Sequence, residues 1–262
     1  MSDRVSAGGR FLALGCMAAI CVAAVSSPLD AQRRRGGGYG GGECLGSIEP
    51  NIPYDGRFIF ARIRYREIYS IGWQYDYPCT ERNFASILKE ITLVRPYMEG
   101  GNVFDFDDPE LFRFPIAYVS EPGYWYPTDA EAQGMREYLA KGGFVIFDDF
   151  NYANEWMVFE AGLRKALPDA KIVPMDPSHP IFDSFFRISS LEMTYPGRPS
   201  LQSEFYGIYE GNDPKKRLMV IINYNNDLGN YIEHSAGGWY PINLTNDAYK
   251  FAVNYILYGM TR

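Results

Sequence analysis

Residues 135–150 read MREYLAKGGFVIFDDF, and this stretch decides the fold class. Ala132, Met135, Tyr138 and Leu139 recur at helical spacing. Gly142 then supplies the left-handed residue that ends a helix cheaply. Phe144 to Phe147 is a short apolar run, and Asp148 and Asp149 follow at its end. In an α/β protein this is a helix feeding a buried strand, with two carboxylates at the strand's carboxyl end, the edge where open α/β sheets place ligands.

Just upstream, Thr128 and Glu131 form a Thr-x-x-Glu capping box, a specific helix start. Before it, Phe114 to Ser120, FPIAYVS, is continuously apolar, as expected of a strand covered on both faces. It ends in the turn Glu121-Pro122-Gly123. Strand, helix and strand of these lengths predict a right-handed βαβ unit.

The pattern extends outward in both directions. FIFARIRY, residues 58–65, alternates as a half-covered strand. Arg62 and Arg64 share one face of it, either solvated or with Arg64 pointing into the ligand edge. The aromatic loop EIYSIGWQYDYP, residues 67–78, follows directly, where binding loops sit, and carries Trp73 and Asp76. Thr80 reads as an N-cap for a helix with Phe84, Ile87, Leu88 and Ile91 on one stripe. Further strands are expected over 102–106, 171–174, 203–209 and 217–223, and helices over 154–167 and after Thr245 or Asn246. The turn Asn225–Gly229, holding Asp227, reads as loop, and His234 as an exposed loop histidine. The alternation predicts a three-layer α/β/α fold on a mostly parallel sheet.

The 262 residues are 47% hydrophobic and 22% charged, enough apolar content for a sizeable core. The net charge of −7 argues against nucleic acid as a partner. Aromatics reach 16%, with 21 Tyr and 17 Phe, which suits half-buried packing or a carbohydrate or peptide groove. Arg4 and Arg10, an apolar run over 11–25 and the small residues 26–31 read as an export signal over 1–31. That apolar run is short of the roughly 20 residues a permanent span needs, so contact with a membrane is expected only through an uncleaved signal. Residues 32–43 read as a Gly/Arg-rich tether, and 44–262 as one α/β domain. The expected location is therefore periplasmic or secreted. After signal removal Cys44 and Cys79 remain, either as one disulfide or as two thiols. No CxxC spacing signals zinc, and no cofactor is expected.

These pieces together resemble a bacterial domain-of-unknown-function family, number 4159. The matching segments are FARIRY, WQYDYP, NFASILKEIT, DDPELFRFPIAYVS, YLAKGGFVIFDDF, HPIF and AYKFAVNYILYG, in that order over roughly residues 57–259. The resemblance implies a flavodoxin-like sheet of the class I glutamine amidotransferase kind.

Amidotransferase chemistry needs a cysteine on a sharp strand-to-helix turn. The equivalent turn here, Ser120-Glu121-Pro122-Gly123, has none, and Cys79 lacks the glycine-flanked elbow. Carboxylates stand there instead. Glu121 and Asp148, with His179 as a third group, are the catalytic candidates. Arg64, Trp73, Asp76, Glu121, Asp148, Asp149 and Asp227 are the ligand-binding candidates. Carboxylate oxygens would suit a hard divalent cation or a hydrolytic water, although no metal ligand set is assigned. Two functions follow: a non-catalytic module of the cell envelope binding a protein, carbohydrate or peptide, or a carboxylate- or metal-dependent hydrolase of envelope material.

Overall fold

The computed structural model describes residues 48–66 and 72–261. Cys44, the expected signal over 1–31 and the tether over 32–43 lie outside the described residues. The parallel strands are β1 (Phe58–Ile63), β2 (Pro96–Phe104), β3 (Ile116–Ser120), β4 (Phe144–Phe150) and β9 (Leu218–Tyr224). The helices are α1 (Cys79–Ile91), α2 (Asp129–Ala140), α3 (Tyr152–Ala166), α4 (Leu228–Glu233) and α5 (Ile242–Thr261). Short β5 (Val173–Pro174) and β8 (Glu204–Tyr209) extend the sheet in antiparallel fashion, while β6 (Thr194–Tyr195) and β7 (Arg198–Gln202) form a separate hairpin.

The seven-stranded, mostly parallel sheet has the order β2-β1-β3-β4-β9-β8-β5. Growth runs from β1 to β2 on one side, then from β3 outward on the other, so the order reverses between β1 and β3. Such a reversal opens a crevice at the carboxyl ends of the strands.

The anchors read from sequence form as expected. The Thr128 hydroxyl accepts from the Glu131 N–H at 3.2 Å, and the Thr128 N–H donates to Glu131 Oε2 at 2.6 Å. Gly142 has φ +105°, and its open surroundings leave conformation as the reason for glycine there. Residues of β3 and β4 alternate between two apolar clusters, as the two-residue period of a strand requires. Ala117, Val119, Val145 and Phe147 pack with α2 and α3, while Ile116, Tyr118, Phe144 and Ile146 pack with α1, α4 and α5.

Several boundaries differ from the sequence reading, each for a local reason. Strand β2 starts at Pro96, not Asn102, because an edge strand tolerates proline at its first position. Helix α5 starts at Ile242, where the Pro241 carbonyl accepts from the N–H groups of Leu244 and Thr245. Helix α4 replaces an expected loop. At six residues it is too short to show a period, and the carboxylates described below hold its start. Among the described residues no helix is long and apolar enough to cross a membrane.

Candidate functional site

Four adjacent parallel strands, β1, β3, β4 and β9, each deliver a carboxylate at or just beyond their carboxyl ends. Asp76 lies in the loop after β1, Glu121 directly after β3, Asp148 and Asp149 at the end of β4, and Asp227 after β9. Oxygens of Asp76, Asp149 and Asp227 all lie within 4.8 Å of one another.

The backbone is bent to bring them there. Six described non-glycine residues have positive φ, and five cluster at this edge: Asp76 (63°), Glu121 (51°), Asp149 (65°), Tyr152 (61°) and Asn225 (52°). Such conformations cost of order 1–3 kcal/mol each and persist where surrounding contacts enforce them. Here the Tyr65 hydroxyl donates to the carbonyls of Ser120 and Glu121, both at 2.8 Å, and pins the turn after β3. The Asp149 N–H donates to the Asn226 carbonyl at 3.1 Å and ties the ends of β4 and β9.

Adjacent aspartates divide the work. Asp148 is fully buried and accepts four hydrogen bonds, from the Tyr118 hydroxyl and Asn223 Nδ2 (2.9 Å each) and from the N–H groups of Leu228 (2.9 Å) and Gly229 (3.0 Å). It anchors the start of α4 and has no spare acceptor role. Burial pushes its carboxyl up, with those four donors opposing. Asp149 accepts from the Tyr195 hydroxyl at 2.9 Å. Burial first, then the charges of Asp76 and Asp148, push Asp149 well above the carboxylate range. Asp227 caps α4 by accepting from the Asn230 N–H at 2.8 Å, and burial followed by Asp149 pushes it well up too. Burial, then Asp149 and Glu155, raises Glu121 to about 10, against the pull of Arg198. Glu233 reaches about 9 through burial and Asp76, with Arg62 opposing. Like charges this close cannot all ionise unaided.

Beneath the cluster, Arg62 is fully buried. Its Nε donates to Glu81 Oε1 at 2.6 Å, and its Nη1 donates to the carbonyls of Trp73 (2.9 Å) and Tyr75 (2.8 Å). Arg62 thus clamps the loop that presents Asp76. Five buried side-chain atoms lack a hydrogen-bond partner among the described residues. Four of them surround this edge: Arg62 Nη2, Glu81 Oε2, Asp76 Oδ2 and Ser120 Oγ.

Some expected site residues lie elsewhere. Arg64 makes a bidentate pair with Asp105 at 2.9 and 2.6 Å, half exposed and away from the cluster. The buried member of the Arg62/Arg64 pair is Arg62, which corrects the solvated reading for that residue, while Arg64 is half exposed as that reading has it. The Trp73 ring is packed in the core against Tyr77. His179 accepts from the Ile181 N–H through Nδ1 at 3.2 Å and packs among Phe182, Tyr209 and Tyr258. His234 stacks on Trp239 at 4.4 Å with Nε2 3.2 Å from Glu233, so it is not an exposed loop residue. Cys79 is disulfide-bonded, which removes it as a thiol nucleophile.

Residues 59–260 match the family described as Domain of unknown function (DUF4159). The chain belongs to that family. No curated protein matches it.

In this DUF4159 chain, Tyr195, Arg198 and Glu233 escaped the sequence reading. Tyr195 and Arg198 flank the turn Pro196-Gly197 of the β6–β7 hairpin. An aromatic and a cation beside a Pro-Gly turn was the available signal. Arg198 lies over the rings of Tyr195 (5.0 Å) and Tyr152 (5.4 Å), and its Nη1 donates to Asn151 Oδ1 at 2.6 Å.

Proposed function

We propose that this protein is an exported ligand-binding module that holds a hard divalent cation on Asp76, Asp149 and Asp227. The observation that carries this reading is the convergence of three carboxylates within 4.8 Å, two of them buried. Such a group is stable only when protons or a cation neutralise it. Oxygen-only donors suit Mg²⁺, Ca²⁺ or Mn²⁺ over softer metals. The unpartnered Asp76 Oδ2 supports a ligand of oxygen-seeking character. The order β2-β1-β3-β4-β9 and the two apolar clusters support a flavodoxin-like, three-layer architecture of the amidotransferase kind, and the Cys79 disulfide supports an oxidising compartment.

A second reading, cation-dependent hydrolysis, is favoured by Glu121. Burial and the neighbouring acids push its carboxyl up to about 10 in the cation-free protein, so Glu121 would serve as the general acid, and a cation held on Asp76, Asp149 and Asp227 would supply polarisation of a water. Calorimetric titration with Mg²⁺, Ca²⁺ and Mn²⁺ tests both. Binding that disappears in a doubly substituted Asp149→Asn, Asp227→Asn protein supports the cation site, and the absence of heat with every cation removes both readings. Retained binding with no hydrolysis of ester, glycoside or peptide probes leaves the binding module alone.

A further inference from the structure

At the carboxylate edge Arg198 pairs with none of the acids among the described residues. Arg198 comes from the β6–β7 hairpin and opposes the upward shifts of Glu121 and Glu155, yet it makes no ion pair among the described residues. Its side chain is nonetheless fixed by two aromatic faces and one hydrogen bond to Asn151, which uses Nη1. Nε and Nη2 have no protein partner among the described residues. The Tyr195 ring beneath Arg198 bonds through its hydroxyl to Asp149, so the guanidinium sits one aromatic ring from a candidate cation ligand. A preorganised fork of N–H donors beside a divalent cation matches a group with several anionic oxygens, which the cation and arginine share.

Ser120 stands at the carboxyl end of β3, the strand next to β4. It is fully buried, its hydroxyl is unpartnered, and it sits in register with Asp148 on the neighbouring strand. A buried hydroxyl without a protein partner is completed by an ordered water or by a polar group of a ligand.

We propose that the ligand drawn to this edge carries an oxyanion, a phosphate or carboxylate group, that bridges the bound cation and the Arg198 guanidinium. The proposal rests on the cation site of the preceding reading. It places the two stacked tyrosines as holders of Arg198 and makes the hairpin the specificity element of the site.

The test uses the whole protein with inorganic phosphate and acetate as probes, each titrated calorimetrically with and without Mg²⁺ or Mn²⁺. The expected result is oxyanion binding that strengthens with the cation present. It should weaken by about tenfold or more in Arg198→Gln and by less in Arg198→Lys, which keeps the charge and loses the fork. Unchanged thermal unfolding of both variants separates this loss from misfolding. Preference for phosphate or for acetate tells which oxyanion the site takes. Cation binding without any oxyanion effect, or an effect untouched by Arg198→Gln, overturns the proposal and leaves the cation site standing. Absence of cation binding overturns both.

Discussion

The Tyr195 hydroxyl donates to Asp149 Oδ1 across 2.9 Å and joins the β6–β7 hairpin to the end of the central strand β4. The proximity of Asp149 and Asp227 pushes the phenol upward after burial does, so it remains a donor throughout the working pH range. Tyr195→Phe removes the bond and keeps the ring under Arg198. The expected outcome is a loss of about 1 kcal/mol in urea unfolding at neutral pH. A stability equal to the parent's would show that the bond is not formed in solution.

The acidic edge sets the sign of the pH dependence. Burial is the first cause that lifts Glu233 to about 9 and Glu121 to about 10. A folded-state value above the unfolded one means that folding favours the protonated acid. The contribution is complete below the unfolded value, about 4.3, and is lost as pH rises through the folded values. The urea midpoint of the cation-free protein is therefore expected to fall between about pH 5 and about pH 10. A saturating divalent cation should flatten that decline, because bound cation replaces the protons. A midpoint that rises over this window contradicts the charge assignment.

His179 titrates in the opposite sense. Burial lowers it, and Nδ1 already accepts from the Ile181 N–H, so protonation would break that bond. Its stabilising contribution is present above about pH 6.5 and is lost as pH falls from there. An NMR titration of the ring should give a midpoint below that of a free histidine, and a midpoint above it would exclude the buried neutral ring.

Glu81→Gln leaves the Arg62 charge buried without its countercharge. The expected destabilisation is about 3–5 kcal/mol by denaturant unfolding. Since Arg62 also holds the Trp73 and Tyr75 carbonyls, the same variant should weaken cation binding through the Asp76 loop. A double-mutant cycle with Arg62→Met should show a coupling of the two sites, and strict additivity would dissolve the pair.

Gly229→Ala tests how tightly the edge is built. A Cβ there would stand 2.8 Å from the Tyr118 hydroxyl and 3.0 Å from Asp76 Oδ2. Both atoms belong to the carboxylate network, so the methyl group is expected to cost about 1–3 kcal/mol and to reduce the heat of cation binding. A neutral substitution would mean that the Asp76 loop retreats freely.

Much of this architecture could be read from residues in series. The capping box at Thr128, Gly142 and the apolar runs of β3 and β4 are local signals, and each is physically sufficient for its element. Asp76, Glu121, Asp148, Asp149 and Asp227 were placed at one edge by strand order alone. What strand order could not give was the division between Asp148, saturated by four donors, and Asp149, bent to φ 65° beside Asp76 and Asp227. That difference lies in which neighbouring elements supply donors to each residue. Period-two alternation reports which face a side chain takes and not what covers it, and the face of β1 that carries Arg62 is covered by α1 through Glu81. The hairpin with Arg198 has two short, polar strands and no periodicity, so nothing in its sequence tied it to residues far along the chain.

The position of β9 has a consequence for how the chain is made. It enters the sheet between β4 and β8, after every other strand has been synthesised. Until it does, Asp227 has no fixed place and the start of α4 has no anchor on Asp148. A nascent chain therefore carries Asp76 and Asp149 without the third acid, and repulsion among the three begins only when the last strand closes the centre. Because β8 and β5 join the sheet only through β9, and β9, α4 and α5 supply much of one apolar cluster, the three acids come together in the same part of the chain that completes the core.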